Sequence, residues 1–137
     1  MKKRIIAISI LTASLLFSFC SGYGKKIEFN NTDVYYTSDV TENDARKLGD
    51  FLVRSKFADG KEKSIQLAKN KERNHFIFRM VTNEEAAKNK AYEELFRAVA
   101  IQISDSVFNK QPVDFHVCNN TFKTIKELQF KPSSDAK

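Results

Sequence analysis

Two helix-like stretches, each following a pair of strand-like stretches, constrain this fold more than any other feature of the sequence. Ala45, Leu48 and Leu52 recur at helical spacing. A second apolar stripe runs from Tyr92 to Val107. Because an amphipathic helix must bury its stripe, both helices are expected on one face of one sheet. The order ββαββαββ therefore predicts an α+β fold, a two-layer sandwich with a mostly antiparallel sheet.

Turn-forming residues join the two strands of each pair and predict three antiparallel hairpins. The predicted strands are Lys26–Phe29, Val34–Thr37, Ser64–Ala68, His75–Val81, Val113–Cys118 and Thr121–Phe130. Thr41 is the expected N-cap of the first helix, and a capping box that starts at Thr82 begins the second, which continues to about Val107. The similar segments Y-Y-T-S-D-V-T-E-N-D-A and F-R-M-V-T-N-E-E-A suggest a diverged internal repeat.

The first 19 residues have the organisation of a secretory signal peptide. Met1–Arg4 is basic, and Ile5–Phe19 is an apolar run too short for a comfortable transmembrane helix. A retained N-terminal anchor helix is the alternative. The predicted organisation is a signal peptide over 1–19, a tether over 20–25, one domain over 26–130 and a disordered tail over 131–137.

The end of the leader, L-F-S-F-C-S-G, resembles a bacterial lipoprotein signal, in which the cysteine becomes the lipid-bearing first residue. The resemblance implies lipidation of Cys20 and attachment of the exported domain to the cell envelope, in the periplasm or at the outer membrane or cell surface. Phe19 departs from the small residue that usually precedes this cysteine. Ordinary cleavage after Gly22 or Gly24, which would release a soluble secreted or periplasmic domain, therefore stays open.

The core, and not disulfide bonds, must hold this domain together. The chain of 137 residues has two cysteines, and only Cys118 lies within the predicted domain. Twelve Phe and no Trp indicate a phenylalanine-rich core. Removal of Lys2, Lys3 and Arg4 with the leader lowers the formal net charge from +6 to +3, which is weak support for a nucleic-acid partner. We expect none.

Three further segments carry a resemblance. They resemble a small domain that recurs in uncharacterised bacterial exported and membrane proteins. The segments are V-Y-Y-T-S-D-V-T-E-N-D-A-R-K-L-G-D-F-L-V-R-S-K-F over Val34–Phe57, F-R-M-V, and V-D-F-H-V-C-N-N-T-F-K-T-I-K. The resemblance covers about Lys25–Phe130. It implies no activity, cofactor or catalytic residue.

One predicted strand carries a carboxylate, an imidazole and a thiol on the same face. Asp114, His116 and Cys118 alternate along it. These groups can ligate a metal or act in nucleophilic catalysis, but side chains at this spacing stand side by side and do not converge. A structural face, either solvated or covered by a loop, with Cys118 packed as a small apolar residue is therefore favoured. His75 is interpreted as a surface histidine after a charged turn, and neither a metal nor a cofactor is expected.

Two surface features remain as candidates. A basic patch for anionic lipid or polymer could form from Lys61, Lys63, Lys69, Lys71 and Arg73. Tyr23, Tyr35 and Tyr36 could form an exposed aromatic cluster near the anchor, although alternation places about half of them in the core.

Three functions follow from these features. The first is a non-enzymatic, lipid-anchored envelope protein that binds a partner, such as another envelope protein, through an open sheet face or an edge strand. The second is an enzyme or metal-binding domain that uses the Asp114, His116 and Cys118 face. The third is an electrostatic binder of anionic surfaces. The absence of a recognisable catalytic set favours the first.

Overall fold

A computed structural model of the chain describes residues 22–132. The predicted signal peptide, the candidate lipidation site Cys20 and residues 133–137 of the predicted tail lie outside the described residues. Among residues 22–132, no helix has the length and apolar character that a membrane crossing requires.

The domain is a six-stranded sheet with three helices. The strands are β1 (Lys25–Phe29), β2 (Thr32–Tyr36), β3 (Lys63–Asn70), β4 (His75–Val81), β5 (Val113–Cys118) and β6 (Thr124–Leu128). The helices are α1 (Glu42–Arg54), α2 (Glu84–Lys88) and α3 (Lys90–Ser106). The strands lie side by side in the order in which they occur along the chain.

The pairing of the strands confirms the predicted fold class and adds two parallel contacts. β1–β2, β3–β4 and β5–β6 are antiparallel hairpins. β2–β3 and β4–β5 are parallel. A helix that lies between two strands returns the chain to the same end of the sheet, so the strand after it runs parallel to the strand before it. Antiparallel pairing therefore dominates, with one parallel junction at each helical connection.

Asparagines build the first hairpin turn, as their positions predicted. Asn30 and Asn31 have φ values of 48° and 65°, in the left-handed region that a two-residue hairpin turn requires. Asn30 also donates a side-chain hydrogen bond to the carbonyl of Ala58 at 2.9 Å, which ties this turn to the segment after α1.

The second predicted helix is two helices. The N-cap of α2 is Asn83 and not Thr82: the Asn83 side chain accepts a hydrogen bond from the Ala86 N–H at 2.9 Å. Asn89 has an extended ψ of 119°, ends α2, and caps α3 by accepting from the Ala91 N–H. The apolar stripe continues through the break, but asparagine readily bonds to nearby backbone and disfavours the helix interior.

The helices and one face of the sheet, the inner face, share a single core. Its fully buried members include Val34, Leu48, Leu52, Ile65, Leu67, Phe78, Ile103, Phe115 and Val117. The rings of Phe96 on α3 and Phe115 on β5 stack at 4.6 Å. At the edge of the sheet, Glu93 accepts from Lys126 at 2.8 Å and joins α3 to β6. The hydrogen bond from Lys126 and, to a smaller extent, the hydrogen bond from Arg97 hold the pKa of the Glu93 carboxyl below its usual range.

Gly49 lets α1 lie close to β1. A Cβ atom at position 49 would overlap the ring of Phe29. Glycine in a helix interior costs about 1 kcal/mol relative to alanine, so close contact between the helix backbone and this ring is the physical reason for the residue.

We predict that the effect of Gly49→Ala on the free energy of unfolding depends on whether Phe29 is present. In the wild-type background the substitution should lower the free energy of unfolding by about 1–3 kcal/mol, because the ring must move. In a Phe29→Ala background the same substitution should be neutral or raise that free energy by up to about 1 kcal/mol, through helix propensity. Urea denaturation of the four proteins measures both effects. Equal effects in the two backgrounds would contradict the proposed contact.

Candidate functional site

The three polar residues of β5 share the outer face of the sheet, opposite the helices, and all three are buried. Asp114 is 1% exposed, His116 8% and Cys118 0%. Their alternation with Val113, Phe115 and Val117 is the predicted one; of the two structural alternatives, the face is buried and not solvated, and Cys118 is packed inside the protein. β5 is therefore buried on both faces, and its polar groups must find partners inside the protein.

The Asp114 carboxylate is satisfied by two distant parts of the chain. His75, at the start of β4, places Nδ1 3.1 Å from Asp114 Oδ1. The backbone N–H of Phe130 donates to the same carboxylate oxygen at 2.8 Å. His75 is therefore half-buried and bonded, which differs from the free surface histidine that its charged sequence neighbours suggested. The carboxylate joins β4, β5 and the C-terminal segment, which is a structural role.

His116 lies between a cation and an anion. Its Nδ1 is 3.2 Å from the hydroxyl of Thr124. Its Nε2 is 3.9 Å from a Glu127 carboxylate oxygen and has no hydrogen-bond partner within residues 22–132. Arg79 is its direct neighbour on β4. Burial lowers the pKa of His116; the Glu127 carboxylate opposes this shift and the Arg79 guanidinium adds to it. The imidazole is thus neutral near pH 7.

The thiol of Cys118 is also in its uncharged form. Burial raises the pKa of the Cys118 thiol, while Arg79 opposes the shift. Because the thiolate is the nucleophile and the metal ligand, this environment works against both chemistries. No group of three acidic, histidine or cysteine side chains within residues 22–132 is arranged to hold a metal ion.

The loop between β5 and β6 folds over part of this face of the sheet, where it contacts Arg79 and Tyr35. The Asn119 side chain accepts hydrogen bonds from the backbone N–H groups of Thr121 and Lys123, both at 3.0 Å. Phe122 adopts a left-handed φ of 57° and accepts a hydrogen bond through its carbonyl from Arg79. β6 consequently begins at Thr124, three residues later than the sequence predicted.

Phe122 completes an outer aromatic cluster with Tyr23 and Tyr35. Its ring centroid lies 5.0 Å from that of Tyr23 and 5.6 Å from that of Tyr35. Tyr36, the third tyrosine of the predicted cluster, points instead into the core. Alternation along β2 correctly predicts that Tyr35 and Tyr36 lie on opposite faces of the sheet. The sequence did not predict Phe122 as a member, because only the turn conformation of the β5–β6 loop brings its ring to the outer face.

The candidate basic residues occupy the two ends of β3. Lys61 and Lys63 lie at its start; Lys69, Lys71 and Arg73 lie at its end and in the following turn. The six residue steps from Lys63 to Lys69 separate these groups by roughly 20 Å. Three of the cations also have acidic partners, in the pairs Lys63–Asp59, Lys71–Asp39 and Arg73–Glu127. The structure brings them together as two small groups and not as one patch.

An apolar cleft of about 590 Å³ opens on the helix side of the sheet. Met80 of β4 and Phe115 of β5 line its floor, and Phe57, after α1, faces α3 across it. Two large apolar side chains of α3 line the cleft and stay open to solvent: Tyr92 is 46% exposed and Leu95 54%. Sequence reasoning placed both in the buried stripe.

The break between α2 and α3 gives this cleft a polar rim. The rim residues are Thr82, Asn83, Glu85 and Asn89. Two of them, Asn83 and Asn89, are the N-caps of α2 and α3. An apolar floor with a few polar groups at its mouth is the usual composition of a site for a small molecule or an inserted side chain.

We predict that His116 makes the domain less stable in mild acid. Its pKa is lowered in the folded state, so below the ordinary value of about 6.5 the unfolded chain binds more protons. The free energy of unfolding should therefore fall from about pH 6.5 towards the folded-state pKa, by at most about 1.4 kcal/mol per pH unit. Urea denaturation between pH 7.5 and 5.0 measures the free energy of unfolding at each pH. His116→Asn should make that free energy depend less steeply on pH. An unchanged slope in the variant would assign the effect to other groups.

Comparison with known proteins places the domain in a family. The model of the AF_1994_N family, described as a family N-terminal domain, matches residues 26–129, from β1 to the end of β6. No similar protein is found among curated proteins, and none among solved structures. The match supports the resemblance to a domain of unknown function and spans most of the chain. The chain belongs to the AF_1994_N family.

Proposed function

We propose that this protein is an exported, lipid-anchored envelope protein whose domain is a non-enzymatic binding module. The ligand is an apolar group, a side chain or a short hydrocarbon, presented by a partner in the envelope. The single observation that carries the proposal is the apolar cleft lined by Tyr92 and Leu95 on α3. It takes the place of the open sheet face as the proposed binding surface, because it is concave and lined by exposed apolar side chains.

The composition of the cleft supports this role. Its volume of about 590 Å³ lies within the range of small-ligand sites. Exposed large apolar side chains that line one groove, as Tyr92 and Leu95 do, mark a candidate interaction site. Met80, Phe96 and Phe115 form a floor that is part of the packed core, so the site is preformed.

The environment of the β5 polar residues supports a non-enzymatic role. The Asp114 carboxylate is occupied by His75 and Phe130, and the Cys118 thiol has no exposed surface. The enzymatic or metal-binding hypothesis therefore has no accessible group among these residues, and the electrostatic hypothesis has lost the single patch on which it depended.

The leader supports export and anchoring. A basic start, a short apolar run and the sequence Cys20-Ser21-Gly22 are together typical of a lipoprotein signal. Acyl chains on Cys20 would attach the domain to a bilayer far more stably than one chain can. The domain itself then needs no membrane-spanning segment.

We predict that Leu95→Glu weakens the binding of an apolar probe to the cleft. A buried carboxylate is costly, and a leucine buried by a ligand contributes about 1.5–3 kcal/mol. The affinity for the dye 1-anilinonaphthalene-8-sulfonate, titrated by fluorescence, should fall by about tenfold or more.

Val53→Glu is the matched control. Val53 is also an exposed apolar helix residue, at 42%, but it lies on α1 outside the cleft. Its substitution should change the dye affinity by less than twofold. Equal losses in both variants, or no dye binding by the wild-type protein, would contradict the cleft as the binding site.

We predict that the mature protein begins at a lipidated Cys20. Mass spectrometry of the N-terminal peptide from cells should show acyl chains, and the protein should partition into detergent. Cys20→Ala should abolish the lipid mass and move the protein out of the membrane fraction. An unmodified N-terminus after Gly22 or Gly24 would instead establish the soluble alternative.

A further inference from the structure

The start of the domain is fixed to the outer face of the sheet. The Tyr23 carbonyl accepts a hydrogen bond from the Gln66 side chain on β3 at 2.8 Å. The Tyr23 ring packs edge-on against Tyr35 at 5.7 Å and against Phe122 at 5.0 Å. The chain therefore leaves the domain at a defined point, beside the outer aromatic cluster, and not from the helix side.

The distance from this point to the candidate lipid is short. Three residue steps separate Tyr23 from Cys20, and a trans chain covers at most about 3.8 Å per step. An acylated Cys20 can thus lie no further than about 11 Å from Tyr23. Since a domain of about 100 residues has a radius of gyration of roughly 13 Å, such a short tether cannot let every side of the domain reach the bilayer equally.

The surface around this point suits the headgroup region of a bilayer. Tyr23 and Tyr35 are half-exposed, and tyrosine is enriched where an apolar ring meets hydrated headgroups. Lys123 lies next to Phe122, is exposed, and forms no ion pair within residues 22–132. Lys26 is exposed on the same face of β1 and is paired only with Asp33, at 3.4 Å. Both cations can approach anionic headgroups.

We propose that the outer aromatic cluster of Tyr23, Tyr35 and Phe122, together with Lys26 and Lys123, is a surface that rests on the headgroups of an anionic bilayer. This inference rests on the proposed lipidation of Cys20. It gives the domain an orientation: the outer sheet face is turned to the membrane, and the apolar cleft opens away from it, towards a partner in solution or in an opposing envelope component.

Tryptophan fluorescence tests the orientation directly, because the chain contains no Trp. Tyr35→Trp introduces a probe on the outer face, and Tyr92→Trp introduces one at the cleft. Each full-length variant is purified from cells with its lipid and placed in vesicles with 30% phosphatidylglycerol and acyl chains brominated near the headgroup. The Trp at position 35 should be quenched at least twofold more strongly than the Trp at position 92.

The charged residues provide the second readout. Lys26→Gln with Lys123→Gln should reduce quenching at position 35 and its dependence on anionic lipid. The control is Lys88→Gln with Lys90→Gln, which removes two exposed cations from the helix side. It should leave the quenching at position 35 and its dependence on anionic lipid unchanged. Suppose that the mass of the protein shows the lipid. Equal quenching of the two probes, or stronger quenching at position 92, would then overturn the proposed orientation but not the anchoring. Protein from cells that carries no lipid overturns the anchoring proposal and the orientation with it.

Discussion

The burial of β5 on both faces is the constraint on which the rest of the structure depends. Its inner residues pack under α3, as the ring stack of Phe96 on Phe115 shows. Its outer residues are polar, so they can be buried only where other parts of the chain satisfy them. Asp114 meets this requirement by binding His75 and the Phe130 N–H. One strand thereby joins the helical layer, β4 and the C-terminal segment.

The two sides of the sheet present different apolar surfaces. On the outer side, the β5–β6 loop brings the Phe122 ring onto Tyr23 and Tyr35, and the Phe122 carbonyl accepts a hydrogen bond from Arg79. On the helix side, the asparagine at position 89 divides the second helix. The gap between Phe57 and α3 is not filled, and the cleft is the result. The candidate binding surface therefore arises from the helical layer and not from the sheet.

The two faces of the domain have different characters, and this difference gives the proposals their geometry. The chain enters the domain on the outer face, where Gln66 holds the carbonyl of Tyr23. The cleft, with Leu95 at its mouth, opens on the inner side. If Cys20 is lipidated as proposed, the outer face would lie near the bilayer and the proposed binding site would be directed away from it.

The sequence by itself determined the fold class, the three hairpins, the N-cap of α1 and the alternation along β5, because these features depend on local propensity and on the spacing of apolar residues. Only the tertiary structure decided that the outer side of β5 is buried and that His75 binds Asp114 across 39 residues. The tertiary structure also decided that Phe122 completes the aromatic cluster and that Leu95 lines a cleft. These contacts join residues far apart in the chain. Their geometry depends on how a loop folds back and where a helix breaks, and apolar periodicity carries no information about either.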